Sequence, residues 1–287
     1  MMKVTEPNLN ENALALICIT IVSTIGIVSN SLSLYITTTY SHFRNAYGTL
    51  CTAVLLCNIQ TISIILIWGA IILMTNSNEL SSTSLVALIP GCLVNVSLYG
   101  AVLLNLLIAI NRYCAFAYPL KYQYFWSVQK ARKAGIIVYF LGFLPCFPSI
   151  VEPCTLIFNA KSYCWSYCNT TCGLINSIFD MIIVLSSSVI MGCINLVTFI
   201  KIRNHHKPKI TPITANNFMT RKRDLFFFKQ SCVTAIMMII SSIIFFIGNY
   251  FLSNKWVVFG VCTIFWEMTH ALEGFIVLAF NWHYFTI

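Results

Sequence analysis

Seven stretches of this chain are each apolar for about 20 residues or more, and this repetition constrains the fold more than any other feature. A helix needs roughly 20 mostly apolar residues to cross a bilayer. The stretches run from about Ala13 to Thr38, Tyr47 to Met74, Leu85 to Ala117, Ala134 to Ile150, Gly173 to Ile200, Ser231 to Leu252 and Trp256 to Phe280. The third is long enough to tilt or to project beyond the hydrocarbon. The fourth is short and is closed by Pro145 and Pro148. Composition agrees: 58% of the 287 residues are hydrophobic and 9% are charged. Soluble domains carry about 25% charged residues, so this chain has too little polar material to cover a surface facing water. The pattern predicts an all-α membrane protein, residues 1–287 forming a single seven-helix bundle whose exterior faces the lipid bilayer. The first stretch follows Glu6 and Glu11, lacks a basic flank and is too long for a cleaved signal peptide.

Lysine and arginine collect in short cytoplasmic loops. With the amino terminus outside, 14 of the 17 fall on the cytoplasmic side: Arg44; Arg112 at the membrane edge; Lys121, Lys130, Arg132 and Lys133; and eight in the polar segment from Lys201 to Lys229. Lys3, Lys161 and Lys255 stay outside with Glu6, Glu11, Glu79 and Glu152, whereas Asp224 lies in a cytoplasmic loop. The net charge of +9 therefore calls for no nucleic-acid partner. It sits in loops against a membrane, where it sets topology and attracts anionic lipid. Residues 201–229, with Pro208 and Pro212, form a mobile basic loop on this reading, one that also meets a cytoplasmic partner.

Ionisable residues at membrane depth are costly and point to a partner or a function. Asp180, Glu267 and Glu273 qualify, and His270 lies three residues from each glutamate. Two readings stay open: a local polar cluster that holds the seventh helix to its neighbours, or a ligand cavity lined by Glu267 near the outer end. Asn95 and Tyr99 share a helix face in the outer half of the third stretch, where they either line a pocket or bond between helices. Trp266 is an aromatic wall or simple packing. Outside, Cys154, Cys164, Cys168 and Cys172 sit in one loop and Cys92 heads the third stretch. The exterior is oxidising, so a disulfide from Cys92 to this loop would tie it over the bundle mouth; spacing alone does not choose the partner. Cys164, Cys168 and Cys172 recur every four residues, but no second compact pair accompanies them, so no metal site is expected. Asn169-Thr170-Thr171 is a glycosylation acceptor, and Asn95-Val96-Ser97 matches that pattern by chance within a helix. No catalytic motif is present: there is no His-Glu-x-x-His, Gly-x-Ser-x-Gly or Gly-x-x-x-x-Gly-Lys. Neither an enzyme nor a cofactor is expected. The rival class is a transporter or channel; transporters show internal repeats with broken helices, and no repeat is visible.

Short motifs then recur in a familiar order. They are Gly26-Ile27-Val28-Ser29-Asn30; Asn45-Ala46-Tyr47-Gly48-Thr49-Leu50-Cys51, followed by Asn58; Asn111-Arg112-Tyr113 with Tyr118-Pro119-Leu120-Lys121-Tyr122; Thr171-Cys172-Gly173 with Asp180; Phe227-Phe228-Lys229-Gln230-Ser231-Cys232; and His270-Ala271-Leu272-Glu273-Gly274 with Phe280-Asn281. Together, over nearly the whole chain, they resemble G-protein-coupled receptors, and more closely the nematode serpentine receptor class x family of chemosensory receptors.

The resemblance implies a rhodopsin-like fold in the plasma membrane, with sensory cilia as the family's setting. It also implies an extracellular small-molecule or peptide ligand and a heterotrimeric G protein. Asn111, Arg112, Tyr113, Pro119 and Leu120 would form the coupling face, with Arg221, Lys222 and Arg223 flanking the sixth helix. From the polar residues at membrane depth, Asn95, Tyr99, Trp266, Glu267 and His270 are the pocket candidates for such a ligand, and Asn30, Asn58, Asp180 and Glu273 the candidates for a polar core. Cys92 would pair with Cys154 or Cys172 in preference to Cys164 or Cys168. There are departures from the general receptor pattern. Asn111 replaces the acid before the arginine, Asn58 is neutral, and Asn281-Trp282-His283-Tyr284 lacks a proline. With the last residue at Ile287, no eighth helix is expected. A lock on Arg112 without a carboxylate would use hydrogen bonds weaker than charge-assisted ones. A transporter or channel and a non-signalling receptor are the alternatives.

Overall fold

The computed structural model describes residues 9–75, 85–150, 154, 156–205 and 215–281. Lys3, Glu6, Glu79, Glu152, Lys207, Lys209, Pro208, Pro212 and residues 282–287 lie outside the described residues, as do the side chains of Arg221, Lys222 and Arg223. In chain order the helices are α1 (Leu9–Thr39), α2 (Ala46–Thr75), α3 (Leu85–Ala117), the short α4 (Tyr122–Phe125) and α5 (Val128–Leu141), which a 3-10 segment (Leu144–Ile150) extends. An antiparallel hairpin follows, β1 (Leu156–Asn159) with β2 (Cys164–Tyr167). Then come α6 (Thr171–His205), α7 (Ala215–Phe251), α8 (Lys255–Phe259), a π-helical turn (Gly260–Ile264) and α9 (Phe265–Asn281). Seven of these segments are long and apolar enough to cross a membrane, the last being α8 and α9 joined through the π turn. The chain is a multi-pass membrane protein.

The burial pattern suits hydrocarbon rather than water. Ile17, Ile67, Ile137, Phe140, Val189 and Leu196 are each more than half exposed, whereas Ser23, Asn30, Ser33, Asn58, Ser97 and Asn111 are buried. Lipid offers no hydrogen bonds, so polar groups must find partners inside the bundle.

Helix starts follow from single side chains. The Asn45 side-chain oxygen accepts from Gly48 N (3.0 Å), Ser127 from Lys130 N (3.2 Å), Thr170 from Gly173 N (2.9 Å) and Asn254 from Trp256 N (3.0 Å). Each satisfies a donor the helix leaves unpaired in its first turn. Two of these caps coincide with glycines that leave no room for a side chain. A Cβ at Gly48 would stand 2.0 Å from the Phe43 carbonyl oxygen, and one at Gly173 would stand 2.0 Å from that of Cys168. The Asn45–Gly48 and Thr170–Gly173 motifs are thus cap-and-turn devices at the feet of α2 and α6.

α1 and α9 meet along a seam of small and polar residues. Ser33 Oγ donates to Gly274 O (2.7 Å), Ser29 Oγ to Ala271 O (3.0 Å) and Asn30 Nδ2 to His270 O (3.1 Å). Small residues let backbones approach, and side-chain bonds to carbonyls hold them there.

Two segments differ from the sequence expectation. The basic segment 201–229 is helical at both described ends, through His205 and again from Ala215. Residues 215–229 contain neither proline nor glycine, so nothing interrupts the helix beyond the apolar span. The external loop contains a hairpin too short to announce itself: β1 alternates buried Leu156 and Phe158 with half-buried Ile157 and Asn159 over four residues.

Candidate functional site

The hairpin closes one end of the bundle. Phe158, Tyr163 and Trp165 are buried in one apolar cluster with Trp68, Phe259 and Trp266. Tyr163, in a left-handed conformation (φ 54°), turns the chain. Its hydroxyl donates to Asn12 Oδ1 (2.9 Å), and its carbonyl accepts from Thr263 Oγ1 (2.7 Å). Lys255 Nζ lies 4.3 Å above the Tyr163 ring and 2.7 Å from Glu11 Oε2, so α1, α8 and the hairpin share one clasp.

The loop is tied over the mouth, but not by the expected bond. Cys154 pairs with Cys172, at a Cα separation of 5.1 Å, which fixes the hairpin to the first turn of α6. The expected pairing of Cys92 with either one is therefore corrected. Cys92 faces the fourth span instead, with Cys146 Sγ 3.7 Å from its carbonyl oxygen. Cys164 and Cys168 are buried thiols, and burial pushes both above the ordinary thiol value. Asn169 is exposed, whereas Asn95 is buried.

Beneath the hairpin lies a mainly apolar cavity of about 70 Å³. Asn95, Trp266 and His270 line it, joined by Asp180 and Glu273 from the expected polar core. α7 adds Met237, Met238, Ser241, Ser242 and Phe245, none of which stood out in the sequence; their only signal was polar residues recurring within an apolar stretch. Two expected pocket residues are elsewhere. Glu267 is buried against α1, where its carboxylate accepts from the Ser23 hydroxyl. Tyr99 is buried behind the wall; the Asp180 carboxyl lies among its hydroxyl and that of Tyr167. A wider space of about 790 Å³ opens between β2 and α6, and it shares Leu156, Asp180 and Phe245 with the cavity. Asp180 therefore stands between the vestibule and the inner cavity.

Glu273 anchors the polar core. Asn58 Nδ2 donates to one carboxylate oxygen (2.6 Å) and Asn105 Nδ2 to the other (2.9 Å). The Asn58 side-chain oxygen Oδ1 then faces His270 Nδ1 at 2.8 Å. An amide oxygen only accepts, so His270 Nδ1 carries a hydrogen. Asn30 touches the same amide weakly, at 3.5 Å. His270 thus bonds across to α2, not along its own helix to Glu267 or Glu273. Asn105, which the sequence reading passed over, is a full member of this core.

On its other side Glu273 lines a small cavity of about 30 Å³, together with Asn105, Gln230 and Tyr47. The Tyr47 ring is the platform for Arg112, whose guanidinium carbon lies 4.1 Å from the ring centroid and 5.5 Å from that of Phe227 on α7. Arg112 is 3% exposed, so it is folded inward rather than reaching from lipid toward the membrane surface. Its Nη2 donates to Asn111 Oδ1 (2.8 Å), and Asn111 Nδ2 donates to the Tyr122 hydroxyl (3.0 Å). Arg112 is thus held by a hydrogen bond to its neighbour on the same helix and by two aromatic faces on α2 and α7. A desolvated cation over a ring contributes about 2 kcal/mol. Tyr113 lies beside Tyr118, with Lys201 Nζ 5.2 Å from its ring, and Pro119 and Leu120 are exposed.

Seven membrane-crossing helices, a plugged mouth over a buried cavity and a ring-clamped arginine at the far end define a receptor-like seven-transmembrane protein. The chain belongs to the family described as serpentine type 7TM GPCR chemoreceptor Srx, whose profile matches residues 20–281. It is similar to Serpentine receptor class X 45 of Caenorhabditis elegans, with 23% identity over 296 residues that cover 93% of this chain and 78% of that protein.

Proposed function

We propose that this protein is a chemosensory receptor that binds an extracellular small molecule beneath the hairpin and activates a heterotrimeric G protein through the face around Arg112. One observation carries the reading: Glu273 lines both the inner cavity and the smaller cavity whose far wall is Tyr47, the ring on which Arg112 rests. A ligand that shifts Glu273 or its asparagine partners alters the support of Arg112 without touching it. The family membership and the similarity to a C. elegans serpentine receptor favour the same role.

The protein sits in the plasma membrane with its amino terminus outside, and sensory cilia are the setting the family suggests. The hairpin and the modest cavity favour a compact small molecule over a peptide. Mainly apolar walls with Asp180 and Glu273 facing inward suit a ligand with an apolar body and a hydrogen-bond donor. Phe227 is on α7, so outward movement of α7 takes one ring from Arg112 and frees the guanidinium for the G protein. Leu120, 99% exposed next to Pro119, offers an apolar contact beside it. Asn111 and Tyr113 shape this face, and Arg221, Lys222 and Arg223, in the part of α7 beyond the apolar span, are further candidates for coupling.

The test is a compound screen with G-protein nucleotide exchange as readout, followed by Arg112→Ala and Arg112→Lys on matched membranes. Both variants are expected to bind the activating compound and to lose exchange, since lysine lacks the planar five-donor fork. Full exchange in Arg112→Ala would refute the coupling role. A compound-evoked current without G protein would place the chain among channels.

A further inference from the structure

α1 and α5 stand on either side of α2 and leave between them a groove of about 630 Å³ that opens on the outside of the bundle. That volume is within the range of about 300–1,000 Å³ typical of ligand sites. Its rim carries apolar side chains that are half or more exposed, Leu56, Ile136 and Phe140, over a floor of buried Phe43, Leu104 and Ala131. The hydrogen-bonding groups within it are already matched: Thr52 Oγ1 donates to Thr37 Oγ1 (3.2 Å), and the Tyr139 hydroxyl donates to Gln60 Oε1 (2.7 Å). The groove therefore offers an apolar trough along most of its length.

One end differs. Arg44, between α1 and α2, and Arg132, in the first turns of α5, both line the groove and are both exposed. Chain direction puts them on the same side of the membrane, away from the hairpin. Neither forms an ion pair with a carboxylate among the described residues. Two cations with no acid paired to them among the described residues, at the head of an apolar trough on a lipid-facing surface, match one occupant: a molecule with an anionic head and an apolar chain.

We infer that this groove binds an anionic glycerophospholipid, with its phosphate between Arg44 and Arg132 and an acyl chain laid along α2 between α1 and α5. Basic pockets between transmembrane helices recognise such headgroups, and two guanidinium forks suit phosphate oxygens better than ammonium groups do. With the amino terminus outside, as proposed, the arginines face the anionic cytoplasmic leaflet. The inference does not depend on the chain signalling through a G protein. The occupant would bridge α1 and α5, which flank α2 here without closing over it.

The experiment uses the purified full chain in detergent and native mass spectrometry with added palmitoyl-oleoyl phosphatidylserine or phosphatidylcholine. The wild type is expected to retain phosphatidylserine in preference. The pair Arg44→Gln and Arg132→Gln is expected to lose that preference, by about fivefold per arginine. A control pair on the same side, Lys121→Gln with Lys133→Gln, removes the same charge outside the groove and should keep the preference. Ala53→Phe, which fills the trough, should lower retention of both lipids. Equal retention of the two lipids by the wild type would overturn the inference. So would a control pair that acts as strongly as the arginine pair, or unchanged retention in Ala53→Phe.

Discussion

Gly274→Ala tests the α1–α9 seam directly. A Cβ at Gly274 would stand 2.7 Å from Asn30 N, 2.9 Å from its Cα and 2.9 Å from its Cγ. Two of these atoms are backbone, so no rotamer change relieves the clash and one helix must retreat by several tenths of an ångström. Overpacking of this kind costs about 1–3 kcal/mol. The retreat also stretches the bonds from Ser33 to Gly274 O, from Ser29 to Ala271 O and from Asn30 to His270 O. Such interhelical bonds contribute about 0.6 kcal/mol each. Against this, alanine gains about 1 kcal/mol over glycine in a helix. The net loss is about 3 kcal/mol, which corresponds to a fall in unfolding temperature of about 6–12 °C by the scaling of large folded domains. Scanning fluorimetry in detergent reads it. Gly192→Ala is the control, because its Cβ would meet Ile239 Cδ1 at an ordinary 3.7 Å. Gly260→Ala is a second control, since a Cβ there would meet nothing within 4 Å. If Gly274→Ala unfolds at the same temperature as these controls, the seam is looser than described and the close-approach argument fails.

Peptide mapping without reduction is expected to find Cys154 joined to Cys172, and Cys92 joined to either would overturn the assignment; Cys154→Ser should lose about 3 kcal/mol, given a sequence separation of 18 residues. Glu273→Gln places an amide NH2 against one of two asparagine donors, so it should destabilise the protein by about 1–3 kcal/mol, and wild-type thermal stability would show that the core is not wired through that carboxylate. Glu267→Gln keeps an oxygen for the Ser23 hydroxyl and lies away from the cavity, so the dose–response to an activating compound should not move; a shifted curve would return Glu267 to the pocket. Cys164 and Cys168 are buried with raised thiols, so maleimide should label them only after unfolding, and rapid labelling of the native protein would show that the hairpin opens.

The sequence by itself determined the class of architecture. Hydrocarbon cannot hydrogen-bond to a backbone, so a run of apolar residues long enough to cross it has little choice but helix, and seven such runs are visible without any structure. Local motifs were legible for the same reason of range: Asn45–Gly48 and Thr170–Gly173 act within one turn, and their caps and close contacts are properties of neighbouring residues. Tertiary structure decided everything that depends on which way a helix face points. Glu267 and Glu273 sit six residues apart on one helix, yet one meets Ser23 on α1 and the other meets Asn58 and Asn105. In a fully apolar environment no amphipathic stripe marks the inner face, so periodicity could not separate them. The same limit hid Asn105, the α7 side of the cavity and the true partner of Cys172, because each is a distance between segments far apart in the chain. Arg112 shows both sides. Its lone charge in a long apolar helix was conspicuous in the sequence, but the rings of Tyr47 and Phe227 that hold it come from two other helices, and only packing brings them together.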